Sequence, residues 1–126
     1  MRKLSLIGLI VACGHFVFAQ QIIFNRIQYK LDKTISTFTS ITQDHLGYIW
    51  LTASSGGLYR YDGTEFVNYE HNDTNANSLV SDRAECLWVD SLNVLWVGTF
   101  GAGLDRFDPV TNSFRHFRHD PKNKSS

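Results

Sequence analysis

Two stretches of the chain carry the same ordered pattern, one about 46 positions after the other, and this repeat limits the fold more than any other feature. The first runs Asp44-His45-Leu46-Gly47-Tyr48-Ile49-Trp50-Leu51-Thr52, and the second runs Asp90-Ser91-Leu92-Asn93-Val94-Leu95-Trp96-Val97-Gly98-Thr99. At the same offset Gly57-Leu58 pairs with Gly103-Leu104, and Arg60-Tyr61-Asp62 with Arg106-Phe107-Asp108. Beyond that the offset becomes 48, so that Phe66, Tyr69, His71 and Ser78 fall on Phe114, Phe117, His119 and Ser126. The two added residues fall between Asp108 and Phe114, in a turn, where insertions cost little.

Each copy predicts four short strands. In the first they span Thr37–Gln43, Tyr48–Ala53, Leu58–Asp62 and Glu65–His71; in the second, Arg83–Val89, Val94–Thr99, Leu104–Asp108 and Ser113–His119. Gly47, Asn93, Gly56-Gly57 and Gly101-Ala102-Gly103 supply turn residues that tolerate positive φ, and Asp62-Gly63 is a hairpin signal. No segment keeps a 3.6-residue period, so no helix is expected after the N-terminal leader. Both faces of the second strand in each copy are apolar, so it is expected to be covered on both sides. Four strands per unit at this period predict an all-β fold, a partial β-propeller of about two four-stranded blades. Ile22–Gln28 resembles the outer strand of a blade and is read as a lone N-terminal strand able to close a ring.

The chain divides accordingly into a leader at 1–19, an N-terminal strand segment at 20–36, and blade repeats at 37–80 and 81–126. Arg2 and Lys3 precede an apolar run from Leu4 to Ala12, and Val17-Phe18-Ala19 places small residues at −3 and −1 of a signal-peptidase site. Cleavage after Ala19 is expected, with export to the periplasm and no membrane span left in this chain. The alternative is lipidation at Cys13, although the residues after it stay apolar. Cleavage leaves one cysteine, Cys86, expected to be a small buried hydrophobe in Cys86-Leu87-Trp88-Val89. Twelve basic and twelve acidic residues cancel, so no charged field attracts nucleic acid.

The repeat residues Asp44, Gly47, Trp50, Gly57, Arg60, Asp62, Asp90, Trp96, Gly98, Thr99, Gly103, Arg106 and Asp108 resemble the two-component regulator propeller repeat, as do Phe114, His119-Asp120-Pro121 and Asn77-Ser78-Leu79-Val80-Ser81. Thr52-Ala53 and Asn93 depart from its usual Gly-Thr and Gly. The resemblance covers residues 22 to 126. It implies the N-terminal periplasmic part of a hybrid two-component sensor histidine kinase of Bacteroidetes type, concerned with polysaccharide use. Ser126 falls at the place of Ser78, so the array is expected to be cut within a repeat. The expected partners are the remaining blades of the parent or a second copy, with an oligosaccharide as ligand.

The repeated side chains are expected to be structural. Asp44 and Asp90 are placed to bond turn backbone, Trp50 and Trp96 to lie in the core, and Arg60 and Arg106 to pair with local carboxylates. His45 and His71 are expected to be solvated, and His116 and His119 to point to opposite faces of a strand, unsuited to one metal. Asn72-Asp73-Thr74 and Asn123-Lys124-Ser125 match a glycosylation acceptor, relevant only to a eukaryotic secretory route. No nucleophile–base constellation or phosphate loop is present, so neither catalysis nor a cofactor is expected, and the ligand residues are left open.

Overall fold

A computed structural model describes residues 23, 26 and 37–123. Eight strands alternate with turns: β1 (Phe38–Gln43), β2 (Ile49–Ala53), β3 (Gly57–Tyr61), β4 (Phe66–Tyr69), β5 (Ala84–Val89), β6 (Leu95–Thr99), β7 (Gly103–Asp108) and β8 (Ser113–Phe117). They form two antiparallel four-stranded sheets, β1-β2-β3-β4 and β5-β6-β7-β8, as expected for two propeller blades. Strand ends differ from the expected ones by one or two residues. The leader and the strand expected at Ile22–Gln28 lie outside the described residues, Ile23 and Arg26 excepted.

The change of offset is visible in the pairing. Leu58 stands opposite Tyr69, and Leu104 opposite Phe117, so the two extra residues are absorbed between β7 and β8. Gly57 and Gly103 have φ of 75° and 102°, and a Cβ there would lie 2.2 Å from the Tyr69 carbonyl oxygen and 2.4 Å from that of Phe117. The repeated glycine is therefore needed twice over, for backbone conformation and for the close approach of the outer strand.

The core lies between the two sheets. From the first sheet come Trp50, Leu58 and Tyr69, from the second Ala84, Leu95, Val97, Phe107 and Phe114, and from the crossover Leu79. The Trp50 ring lies 5.1 Å from Phe107 and 5.9 Å from Tyr69, and Tyr69 lies 5.7 Å from Phe114. Such edge and tilted pairs add about 0.5–1.5 kcal/mol each beyond simple burial. Thr39 Oγ1 donates to the Ala84 carbonyl at 2.8 Å, and the His45 N–H donates to Asn93 Oδ1 at 2.7 Å, two of the hydrogen bonds that stitch the sheets together.

Two expectations are corrected. Period-two alternation turns Leu95 and Val97 of β6 toward the joint and Trp96 and Gly98 the other way. Trp50 is buried, whereas its mate Trp96 is only half-buried, so β6 is not covered on both faces. Cys86 pairs with Gly98 on that same open face and is exposed, not buried. The Thr52 departure has a local reason. Thr52 is buried and, because the Thr39 proton goes to Ala84, donates its own hydroxyl to Thr39 Oγ1 at 2.8 Å, whereas a Cβ at Gly98 would meet Cys86 Sγ at 2.4 Å.

Candidate functional site

Each repeat builds the same turn. Asp44 Oδ1 accepts the N–H groups of Leu46 and Tyr48 at 2.9 and 3.0 Å, and Oδ2 accepts Trp50 Nε1–H at 2.8 Å. Asp90 accepts from Leu92 and Val94, both at 2.9 Å, and from Trp96 Nε1–H at 3.0 Å. Gly47 and Asn93 hold the positive φ these turns need, 92° and 62°. The Trp96 and backbone donors hold the Asp90 carboxyl below its ordinary range. Each of these carboxylates thus accepts three hydrogen bonds from its own repeat. Asp62 and Asp108 cap the β3–β4 and β7–β8 turns in the same way, through Thr64 and Glu65, and through Val110 and Thr111. Thr99 Oγ1 donates to the Gly103 carbonyl at 2.8 Å across the β6–β7 turn.

The arginines depart from expectation. The Arg60 guanidinium lies 4.8 Å from the centre of the Tyr48 ring and 5.8 Å from that of Trp50. Its Nε is buried with no hydrogen-bond partner. It is held by aromatic faces rather than by a carboxylate contact, although its charge still helps lower the Asp62 carboxyl. Arg106 is exposed, and its charge adds a little to the lowering of Asp90 and Asp108 that the Trp96 indole and the Val110 N–H chiefly cause.

The groups able to contact a ligand gather instead around the crossover from β4 to β5. An open cleft of about 480 Å³ is lined by His71, Asn72, Asn75, Ser78, His116 and Arg118, with Asp73 and Leu79 among its other walls. Behind its lining residues Val80 and His116 lies a buried acid. Asp105 is fully buried, with Oδ2 accepting the Val80 N–H at 2.7 Å and Oδ1 bonded to His116 Nδ1 at 2.6 Å. His116 Nε2 lies 2.8 Å from the Ala76 carbonyl, which can only accept, so Nε2 carries the proton. Sheet two thus grips the crossover at Ala76 and Val80.

His71 grips the same segment from the other side. Its Nδ1 lies 2.8 Å from the Leu79 carbonyl and its Nε2 2.9 Å from Asp73 Oδ1. Two acceptors favour the doubly protonated ring and raise its pKa above the ordinary 6.5, the Leu79 carbonyl first. His71 is exposed but bound on both nitrogens, which corrects the reading of a merely solvated histidine. A second, wider cleft lined by His71, Val80, Gly101, Gly103, Arg118 and His119 adjoins the first.

The cleft was not anticipated from sequence. Asp105 alternates onto the face of Phe107, where the first repeat has Tyr59, and stands opposite His116 in register. A polar pair at two inward positions was the available signal. Among the described residues no three His, Cys, Asp or Glu gather to hold a metal, and no helix is long and apolar enough to cross a membrane.

No protein-family profile matches the chain, and no curated protein sequence does. Solved structures do match. The extracellular domain of the proposed hybrid two-component system BT3049 from B. thetaiotaomicron is 29% identical with a TM-score of 0.63, over 71% of this chain and 12% of that one. The extracellular domain of BT4673 from the same organism, described both as a one-component and as a hybrid two-component system, is 26% identical over 64% of this chain and 11% of its own. Its two structures give TM-scores of 0.54 and 0.53. This chain thus spans about an eighth of the first of these relatives. The likeness agrees with the resemblance of its repeats to the two-component regulator propeller family.

Proposed function

We propose that this chain is a non-catalytic segment of a periplasmic sensor propeller of a two-component signalling protein, and that it helps recognise a carbohydrate-derived signal. The likeness to extracellular domains of two-component systems, which extends over 71% of this chain, carries the reading. The cleft supports the carbohydrate part. Asn72, Asn75, Ser78 and Arg118 offer amide, hydroxyl and guanidinium groups, a set suited to sugar hydroxyls or a sugar carboxylate. The repeated carboxylates serve separate turns and do not converge in a pair across a pocket, as glycoside hydrolysis would require. The leader at 1–19 supports export, as does the extracellular setting of the similar structures.

Calorimetric titration of the chain with a panel of neutral and acidic oligosaccharides tests this. Saturable binding with the sugar recovered intact is expected, weakened at least about tenfold by Arg118→Ala, the loss that follows when one charge-assisted hydrogen bond is removed. Shortened or unsaturated sugar products would refute the non-catalytic reading. Absence of binding to every glycan would refute the carbohydrate signal.

A further inference from the structure

The two clefts beside the crossover have walls whose acceptors are largely engaged and whose donors are not. Asn72 Oδ1 accepts the Thr74 N–H at 2.9 Å and the Thr74 hydroxyl at 2.7 Å, which fills both its lone pairs. Asn75 Oδ1 accepts the Asn77 N–H at 3.0 Å. Ser78 Oγ accepts the Asn72 N–H at 2.9 Å and donates to the Asn72 carbonyl at 3.2 Å. His116 is held at both nitrogens, by Asp105 and by Ala76. Against this, nothing among the described residues bonds the side-chain N–H₂ groups of Asn72 and Asn75 or the exposed Arg118 guanidinium.

Charge points the same way. Asp73 is the only acid lining either cleft among the described residues, and one of its oxygens lies 2.9 Å from His71 Nε2. His71 has an acceptor at each nitrogen, which favours the cation and offsets the Asp73 charge. The Arg118 charge is left to set the sign of the site. Arg118 lines both clefts and so stands where they meet. Beyond it the second cleft, of about 760 Å³, runs to Gly101, where a Cβ would find nothing within 4 Å. Both volumes lie in the range of ligand pockets, about 300–1,000 Å³.

We propose that the carbohydrate received here is acidic, with a carboxylate or sulfate of an oligosaccharide seated on Arg118 where the clefts meet and the Asn72 and Asn75 amides donating to oxygens beside it. This rests on the carbohydrate reading of the cleft and adds the charge of the ligand to it. An anionic oxygen group only accepts, so it takes what the wall has left to give. The guanidinium fork can bond it through two parallel N–H···O bonds. The hydroxyl protons of a neutral sugar find chiefly the second oxygen of Asp73.

Calorimetric titration of the full chain with two matched pairs of tetrasaccharides tests this. One pair is oligogalacturonate and its carboxyl-reduced form; the other is a sulfated galactan fragment and its desulfated form. In at least one pair the acidic member is expected to bind at least about tenfold more tightly than its neutral form, and that pair tells carboxylate from sulfate. Arg118→Ala should bring the two members within about twofold of one another. Asn75→Asp keeps an oxygen for the Asn77 N–H but replaces the amide donor with a negative oxygen. It should weaken the acidic member at least about tenfold and the neutral one little, with strand content retained by circular dichroism. Neutral members bound as tightly as the acidic ones, or more so, would overturn the proposal and leave the carbohydrate reading standing. So would an acid preference that Arg118→Ala leaves intact. Binding of neither pair, nor of any other glycan, would overturn the carbohydrate reading and this inference with it.

Discussion

Asp44→Asn isolates one buried hydrogen bond. The substitution keeps one oxygen for the Leu46 and Tyr48 N–H groups but turns the other acceptor into an amide N–H₂, facing Trp50 Nε1–H at 2.8 Å. Whichever way the amide turns, donors meet donors on one side. Trp50 is 2% exposed, so water cannot take the place of the lost acceptor. A buried donor left without a partner costs about 1–3 kcal/mol, and the bond lost here was to a charged group, so about 2–3 kcal/mol is expected. Trp50→Phe removes the donor instead, at a similar cost from lost volume and an unused acceptor. The double variant has no donor left to satisfy, so its loss should fall short of the sum by about 1–2 kcal/mol. Urea unfolding followed by far-ultraviolet circular dichroism measures all three, since Trp50 itself contributes to fluorescence. Asp90→Asn is the internal control. Trp96 is only half-buried on the open face, so water can replace the acceptor and the loss should be smaller. Additivity within about 0.3 kcal/mol, or an Asp90→Asn effect as large as that of Asp44→Asn, would refute the reasoning.

Gly98→Ala should destabilise the chain by at most about 1 kcal/mol, because its Cβ makes the exposed Cys86 Sγ turn aside, and adding Cys86→Ala should recover that loss in the same unfolding assay. Asp105→Ala leaves the buried Val80 N–H and the His116 Nδ1 without their partner and should cost about 2–3 kcal/mol, with faster amide exchange at Val80. The depressed carboxyls of Asp62, Asp90 and Asp108 contribute stability that is present above 3.8 and lost as pH falls through their lower folded values. The raised His71 works in the opposite sense, its contribution being full below 6.5 and lost as pH rises through its higher folded value. Denaturation midpoints should therefore decline below about pH 4 and, less steeply, above about pH 6.5, the latter decline vanishing in His71→Ala. Intact mass of the exported protein should show a chain beginning at Gln20; a diacylated Cys13 at its start would overturn the cleavage assignment.

Much of the fold was legible because it is local. Strand faces follow period two, and turns follow from Gly47, Asn93, Gly57, Gly103 and the Asp residues that bond their own backbone. The change of offset from 46 to 48 made Phe117 the repeat mate of Tyr69, and the pairing of Leu104 with Phe117 repeats that of Leu58 with Tyr69. Covering was not legible in this way. Trp50 and Trp96 carry the same motif, yet one is buried and the other half-open, because only the first has a sheet stacked on it. Cys86 reads as a core residue by its neighbours in sequence and is exposed for the same reason. The cleft also depends on space rather than order. His116 meets Ala76, 40 residues earlier, only when the sheets stack and the crossover folds back between them. Sequence by itself determined the strands, their registers and the carboxylate-capped turns, all of which rest on interactions within a few residues or one hairpin. Tertiary structure alone decided which faces are covered and which polar groups converge, because burial is set by what packs against a surface and not by the period that made it.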